Sequence, residues 1–349
     1  MKTGARALAI VGATGAVGGE FLRILEKRDF PHGELRLMSS ARSAGRRVSY
    51  RGDALEVIEA SPAAFAGIDV ALFSASGSVS KTLGPAAVEA GAVVVDNSSA
   101  FRMTPGVALV VPEINGDLVG AARGPRIIAN PNCSTIIMLM AVHPLRARFG
   151  LERVVVSTYQ AVSGAGAAAM VELERMTRAA LSGDEATPEI FGEPCGFNVF
   201  SHDSGVDPVT GRNVEEQKMI DESRKIWDDE TVGIAATCVR VPVMRAHTES
   251  VNVTLRELAT EAAVREVLAA MPGVRIVDDR GANVFPTPLR TQGLDECLVG
   301  RIRPDESQAS EPRSGGARAW KGFDLLVCGD QLRKGAALNA VQIAELIQG

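Results

Sequence analysis

The chain has 349 residues, 46% hydrophobic and 23% charged, with a net charge of -5. That length suits two domains with sizeable cores, and the composition excludes an extensively disordered chain. The acidic balance gives no reason to expect nucleic acid or an anionic membrane surface as a partner. The stretch Met1 to Arg6 leads into an apolar run without a signal-peptide core, and no apolar run reaches the roughly 18 residues of a membrane span, so a cytoplasmic protein is expected. The five cysteines, Cys133, Cys195, Cys238, Cys297 and Cys328, have no close pairing, and the four histidines have no ligand spacing. A reducing compartment is therefore expected, and no metal site.

Residues Arg6–Val11 form a short apolar run that ends in Gly12-Ala13-Thr14-Gly15-Ala16-Val17-Gly18. Phe21, Leu22 and Leu25 follow at helical spacing, giving strand, glycine turn and helix. Glu34–Met38, Val70–Ser74, Val93–Asp96 and Ile127–Ala129 read as further strands, with a helix over Lys81–Ala90. This alternation predicts a largely parallel sheet covered on both faces. Next comes a helix over Ser134–Arg148, interrupted or ended near Pro144, then a strand over Val154–Gln160 and a helix over Ala167–Leu181. Longer strands at Gly233–Val241 and Ser250–Leu255, a helix at Glu261–Ala270, and strands near 274–277 and 297–302 predict a mixed sheet of α+β type. Pro304–Gly322, rich in Pro, Gly, Ser and charge, reads as an exposed loop. A strand at Phe323–Cys328 and a helix at Gly335–Ile347 close the chain, the helix packing back on the first domain.

The glycine turn would let the backbone approach a pyrophosphate lying at the N-terminus of the next helix. A glycine turn without a ligand is the other reading, since the spacing departs from G-x-G-x-x-G. The second strand ends in Ser39-Ser40-Ala41-Arg42-Ser43, a cation among hydroxyls where NAD-binding proteins carry an acid. That favours the 2′-phosphate of NADP, against the alternative of an ordinary solvated loop.

Cys133 lies in Asn130-Pro131-Asn132-Cys133-Ser134-Thr135, at the start of an apolar helical run. A helix N-terminus stabilises a thiolate, the nucleophilic form of cysteine, whereas the other four cysteines suit buried structural roles better. A nucleophile needs a nearby acid or base. His143 reads as structural, His32 and His202 as solvated, and His247 sits between two long strands where a loop could carry it to a site.

Taken together, seven ordered blocks resemble the aspartate-semialdehyde dehydrogenase family. They are Gly12 to Gly18, Ser40 to Ser43, Asp96-Asn97-Ser98-Ser99-Ala100-Phe101-Arg102, Asn130 to Thr135, Thr158 to Gly166, Cys238 to Pro242 with His247, and Gly329 to Ala337. The resemblance implies an α/β chain: a Rossmann-like dinucleotide-binding domain with a mainly parallel sheet, plus an α+β catalytic and dimerisation domain with a mixed sheet. The expected division is 1–132 plus 330–349 for NADP and 133–329 for catalysis and dimerisation. By the resemblance Cys133 is the acyl-forming nucleophile, His247 the general acid/base, and Gln160 positions substrate and thiol. Arg240 would clamp the substrate α-carboxylate, Glu215 would face its α-ammonium, and Lys218 and Arg102 would hold phosphate. The other reading of Glu215 and Lys218 is a solvent-exposed ion pair. Cofactor contacts would come from Thr14, Gly15, Ala16, Val17, Ser40, Arg42, Ser43, Ser163, Gly164 and Gln331.

The implied reaction is NADPH-dependent reductive dephosphorylation of L-4-aspartyl phosphate to aspartate 4-semialdehyde and phosphate, in lysine, methionine and threonine biosynthesis, by a homodimer or homotetramer. Two alternatives stand beside it: an N-acetylglutamyl-phosphate reductase, which has no ammonium to bind, and a non-catalytic nucleotide-binding regulator. Pro304–Gly322 is longer and more polar than the family pattern suggests.

Overall fold

The computed structural model describes residues 6–121, 123–314 and 317–348. The chain forms two compact units, Met1–Asn132 with Ala336–Gly349, and Cys133–Gly335.

In chain order the first unit contains β1 (Leu8–Val11), α1 (Ala16–Lys27), β2 (Leu35–Ser39), β3 (Arg47–Tyr50), β4 (Asp53–Glu59), β5 (Val70–Phe73) and α2 (Gly77–Glu89). It continues with β6 (Val93–Asp96), β7 (Ala108–Leu109), the short helices α3 (Pro112–Asn115) and α4 (Asp117–Ala121), and β8 (Arg126–Ala129). The sheet order is β3-β4-β2-β1-β5-β6-β8-β7, parallel except where β3 meets β4. Side chains alternate across a strand, so β1 sends Leu8 and Ile10 into one core and Ala9 and Val11 into another. The last helix of the chain, Leu338–Gln348, adds Leu338, Val341 and Ile343 to the core of Leu8 and Phe21. Continuous apolar strands such as Leu8–Val11 follow from burial on both faces.

The second unit opens with α5 (Cys133–Phe149), then β9 (Leu151–Gln160), α6 (Ala167–Ser182), β10 (Phe200–Ser201), α7 (Val214–Trp227), β11 (Gly233–Arg240), β12 (His247–Ala259) and α8 (Glu261–Ala270). Strand β13 (Val274–Ile276), α9 (Pro288–Thr291), β14 (Cys297–Pro304), β15 (Ser310–Pro312) and β16 (Arg318–Gly329) complete it. Its mixed sheet runs β10-β11-β9-β12-β16-β14-β13, with β15 paired to β16. Helix α5 is apolar on nearly every side and is buried against β12 and α8.

Three expectations change. Helix α5 runs through Pro144 to Phe149 without ending there. Burial on all sides offsets the one backbone hydrogen bond that proline removes. The stretch 304–322 is largely a hairpin of β15 and β16, although Gly315 and Gly316 lie outside the described residues. Strands β3 and β4 were not expected, because exposed charge at Arg47, Glu56 and Glu59 obscures their alternation. All five cysteines are free, no metal-holding cluster exists among the described residues, and no helix among them is long and apolar enough to cross a membrane.

Candidate active site

Four strand ends and one helix start meet in the second unit. Cys133 is the first residue of α5, so the positive end of the helix favours its thiolate over its thiol. Parallel register sets Gln160 beside Arg240 at the ends of β9 and β11. His247 opens β12 opposite Gly329, the last residue of β16. The thiol and imidazole touch, with Cys133 Sγ 3.4 Å from His247 Nε2.

The backbone fixes the imidazole tautomer. The Ala161 N–H donates to His247 Nδ1 at 3.0 Å, so the neutral ring carries its proton on Nε2, facing the sulfur. Burial first, and then the Arg240 cation, push His247 down to about 3. Protonating Nδ1 would also set two N–H groups against each other. The arrangement is a neutral N–H donor against sulfur, which stabilises a thiolate and any oxyanion formed beside it.

Just before His247, Ala246 has a φ of 74°, a left-handed conformation that costs an alanine about 1 kcal/mol. Its N–H is held by Gln331 Oε1 at 2.8 Å, while Gln331 Nε2 donates to Ser163 Oγ. Both ends of the Gln331 amide thus brace the turn that aims His247. Close packing explains two glycines here. A Cβ on Gly335 would lie 2.9 Å from Cys133 Cβ, and one on Gly164 would lie 3.3 Å from Arg240 Nη1 and 3.4 Å from His247 Cε1.

Charged side chains complete the pocket. Helix α7 starts with a capping box, Asn213 with Glu216, which fixes its first turn. Glu215 is only 4% exposed; it accepts from Lys218 Nζ at 3.1 Å and from Gln160 Nε2 at 3.5 Å. A buried carboxylate of this kind is not the solvent ion pair that the sequence also allowed. Arg240, 2% exposed, donates to Asp203 Oδ1 and to the Ala161 carbonyl. Spacing alone gave no sign of His202 and Asp203. His202, expected to be solvated, is half-buried with Nε2 3.0 Å from Arg240 Nη2. Glu249 was also missed. Two residues beyond His247 on the same face of β12, it is fully buried, and neither oxygen has a hydrogen-bond partner among the described residues. Burial raises its carboxyl well above the usual range, which favours the neutral form.

The other sequence candidates lie in the first unit. Gly12 has a φ of +86°, and a Cβ there would lie 2.0 Å from the Ser74 carbonyl oxygen. Gly12 therefore serves the turn itself. At Gly15 a Cβ would meet only Gly12 O, at 3.3 Å, and no side chain caps α1 above it. Its first N–H groups, at Ala16 and Val17, are suited to an anion. Beside them is a cavity of about 600 Å³ lined by Gly12, Ser39, Ser40, Ala75, Val79 and Leu83, large enough for an adenosine moiety. Thr14 Oγ1 lies 2.8 Å from Ser39 Oγ and donates to Ser43 Oγ at 3.4 Å, tying the glycine turn to the end of β2. Arg42 is exposed there and has no hydrogen-bond or ion-pair partner among the described residues. Arg102 is buried, with Nε on the Asn130 carbonyl and Nη2 on the Asn97 carbonyl.

Residues 7–122 match the semialdehyde dehydrogenase NAD binding domain, and residues 142–334 match the semialdehyde dehydrogenase dimerisation domain. An aspartate-semialdehyde dehydrogenase of Synechocystis sp. is 48% identical over 342 residues, covering 97% of this chain and 96% of that one. A Bacillus subtilis protein of the same name is 45% identical over 348 residues, 98% and 97% of the two chains. The crystal structure of aspartate semialdehyde dehydrogenase II from Vibrio cholerae, complexed with ASA, matches with a TM-score of 0.92, 40% identity and 99% of each chain covered. Two domain models together span most of the chain, the relatives match it over nearly its full length, and the chain belongs to the aspartate-semialdehyde dehydrogenase family.

Proposed function

We propose that the protein catalyses reductive dephosphorylation of L-4-aspartyl phosphate to L-aspartate 4-semialdehyde and phosphate, with NADPH, in the route to lysine, methionine and threonine. The observation that carries this reading is the Cys133 to His247 contact, with the imidazole tautomer set by Ala161. The Cys133 thiolate attacks the acyl carbon, the C–O bond to phosphate breaks, and phosphate leaves with the electron pair. The product is a thioester on Cys133. His247 Nε2–H donates to the oxygen that gains charge during attack. NADPH, when bound, supplies the hydride that reduces this thioester. The sulfur then leaves as thiolate, releasing the aldehyde, and Nε2–H is again its donor.

Arg240 is assigned to the α-carboxylate and Glu215 to the α-ammonium. The buried Glu215 favours a free amino group, which brings a positive charge to the carboxylate, over an N-acetylated one, which brings none. Lys218 and Arg102 are assigned to phosphate, and Gln160 to positioning substrate beside the thiol. For the cofactor, the free N–H groups of Ala16 and Val17, the absent Cβ at Gly15, and the cavity by Ser40 fit a dinucleotide, with Thr14, Ser43 and Arg42 toward the 2′-phosphate. Ser163, Gly164 and Gln331 are assigned to the nicotinamide side. A homodimer or homotetramer is supported by exposed apolar Leu181, Phe197, Val206 and Val209 in the unit that matches a dimerisation domain. The free cysteines fit a reducing cytoplasm.

The test is an assay of NADPH formation from aspartate semialdehyde, NADP and inorganic phosphate. Turnover is expected only when all three are present; equal turnover without phosphate would refute the acyl-phosphate chemistry.

A further inference from the structure

A guanidinium has five N–H donors, and in Arg240 four are already directed at protein acceptors. Nε and Nη2 both donate to Asp203 Oδ1, at 3.2 and 2.6 Å. Nη2 also donates to His202 Nε2 at 3.0 Å, and Nη1 donates to the Ala161 carbonyl at 2.9 Å. The Phe191 ring lies 5.3 Å from the guanidinium carbon and holds its plane. One N–H, on Nη1, remains, and Nη1 is the end nearest Gly164, where an added Cβ would also meet His247. Arg240 is thus gripped along its Nε–Nη2 edge and keeps its remaining N–H at the Gly164 end.

On its other side the His202 ring is held by Ser204: Nδ1 lies 3.1 Å from Ser204 Oγ and 3.2 Å from the Ser204 backbone N–H, which points at it. The same Ser204 Oγ accepts the N–H of Glu215 at 3.2 Å. One tripeptide, His202-Asp203-Ser204, therefore contacts both residues assigned to the two charges of an α-amino acid. Asp203 joins Arg240, and Ser204 joins Glu215. Burial opposes ionisation of Asp203, but the charge and hydrogen bonds of Arg240 outweigh it and keep the group below the ordinary carboxylate range.

We propose that the His202-Asp203-Ser204 turn is the specificity-determining element of the substrate site, in which Asp203 and His202 position Arg240 and Ser204 positions Glu215 so that an aldehyde carrying an α-carboxylate is selected. The proposal rests on the reading of Arg240 as the carboxylate clamp. Asp203 is a positioning residue, because it acts through Arg240. Without its grip the guanidinium keeps its charge but loses its fixed edge. Binding of a carboxylate then weakens while the chemistry at Cys133 is untouched.

The experiment compares aspartate semialdehyde with 3-aminopropanal, the same aldehyde without its carboxylate, for the full chain with NADP and phosphate. In Asp203→Ala, KM for the semialdehyde is expected to rise roughly tenfold, the scale of one charge-assisted hydrogen bond. Its kcat stays within about twofold, since nothing at the thiol changes. The kcat/KM for 3-aminopropanal is unchanged, so discrimination between the two aldehydes falls, and Asp203→Glu restores part of it. Loss of activity on both aldehydes in equal measure, or no change in discrimination, overturns the proposal. If Asp203→Ala does not fold, the isosteric Asp203→Asn is read by the same criteria. Arg240→Lys separates the two levels. Unchanged discrimination in that variant refutes the clamp reading itself, whereas collapsed discrimination there with full discrimination in the Asp203 variants refutes only the role of the turn.

Discussion

The two units present opposite kinds of binding surface. In the first, the candidate ligand surface is mostly backbone: an uncapped helix start, a turn whose glycines leave space, and an exposed Arg42 without a partner among the described residues. In the second, it is buried side chains whose hydrogen bonds are largely committed, as at Arg240, Glu215, His247 and Gln331. The difference teaches where a substitution should do most harm. A backbone site loses one contact when one side chain is cut back, whereas a preorganised cluster loses the orientation of every group that the lost one held.

The largest effect is expected at the thiol. Cys133→Ala should leave less than about one part in 10⁴ of kcat with the fold intact, because no other group can form the thioester. An unchanged rate in that variant would revive the reading of a non-catalytic nucleotide-binding protein. Next comes His247. His247→Ala should lower kcat roughly 10²- to 10⁴-fold. His247→Gln should retain more activity than the alanine variant, since an amide N–H can still donate to the sulfur but cannot take up a proton. Equal loss in both variants would count against a donor role.

A smaller effect is expected in the first unit. Arg42→Ala should raise KM for NADPH roughly tenfold and leave KM for NADH within about twofold, as loss of one exposed phosphate contact requires. Steady-state kinetics with both nucleotides checks this, and equal change with both would remove Arg42 from the 2′-phosphate.

The smallest effect concerns stability. Burial raises Glu249 in the folded chain well above its ordinary 4.5, whereas in the unfolded chain it ionises near that value. Above pH 4.5 the unfolded state therefore sheds a proton that the folded state keeps, and stability falls as pH rises toward the raised value. Glu249→Gln should raise the melting temperature at pH 7, by about 2–4 °C for each kcal/mol recovered, and should have no effect below pH 4. A loss of stability at pH 7 would mean that the carboxyl is ionised and paired.

Much of the first unit was legible in the sequence, because continuous apolar strands, a glycine turn and an amphipathic helix are local patterns. The hairpin of β3 and β4 escaped because its strands are exposed and charged, and its turn residues Arg51 and Gly52, both at positive φ, carry a weak signal. In the second unit Cys133 was visible from its place at a helix start. The grip of Asp203 on Arg240 was not, since 37 residues separate them and only the pairing of β10 with β11 brings them together. His202 read as solvated for the same reason. Glu249 looked like any acid on a strand, as burial without a partner leaves no trace in spacing.

The central claim is that His247 is a neutral imidazole whose Nε2–H faces the Cys133 sulfur. Nitrogen-15 NMR of histidine-labelled protein at pH 7, with His247→Gln for assignment, tests it directly. The account predicts one bare ring nitrogen, Nδ1, and one protonated nitrogen, Nε2, persisting in Cys133→Ala. Two protonated nitrogens at His247, or a proton on Nδ1 alone, would contradict it.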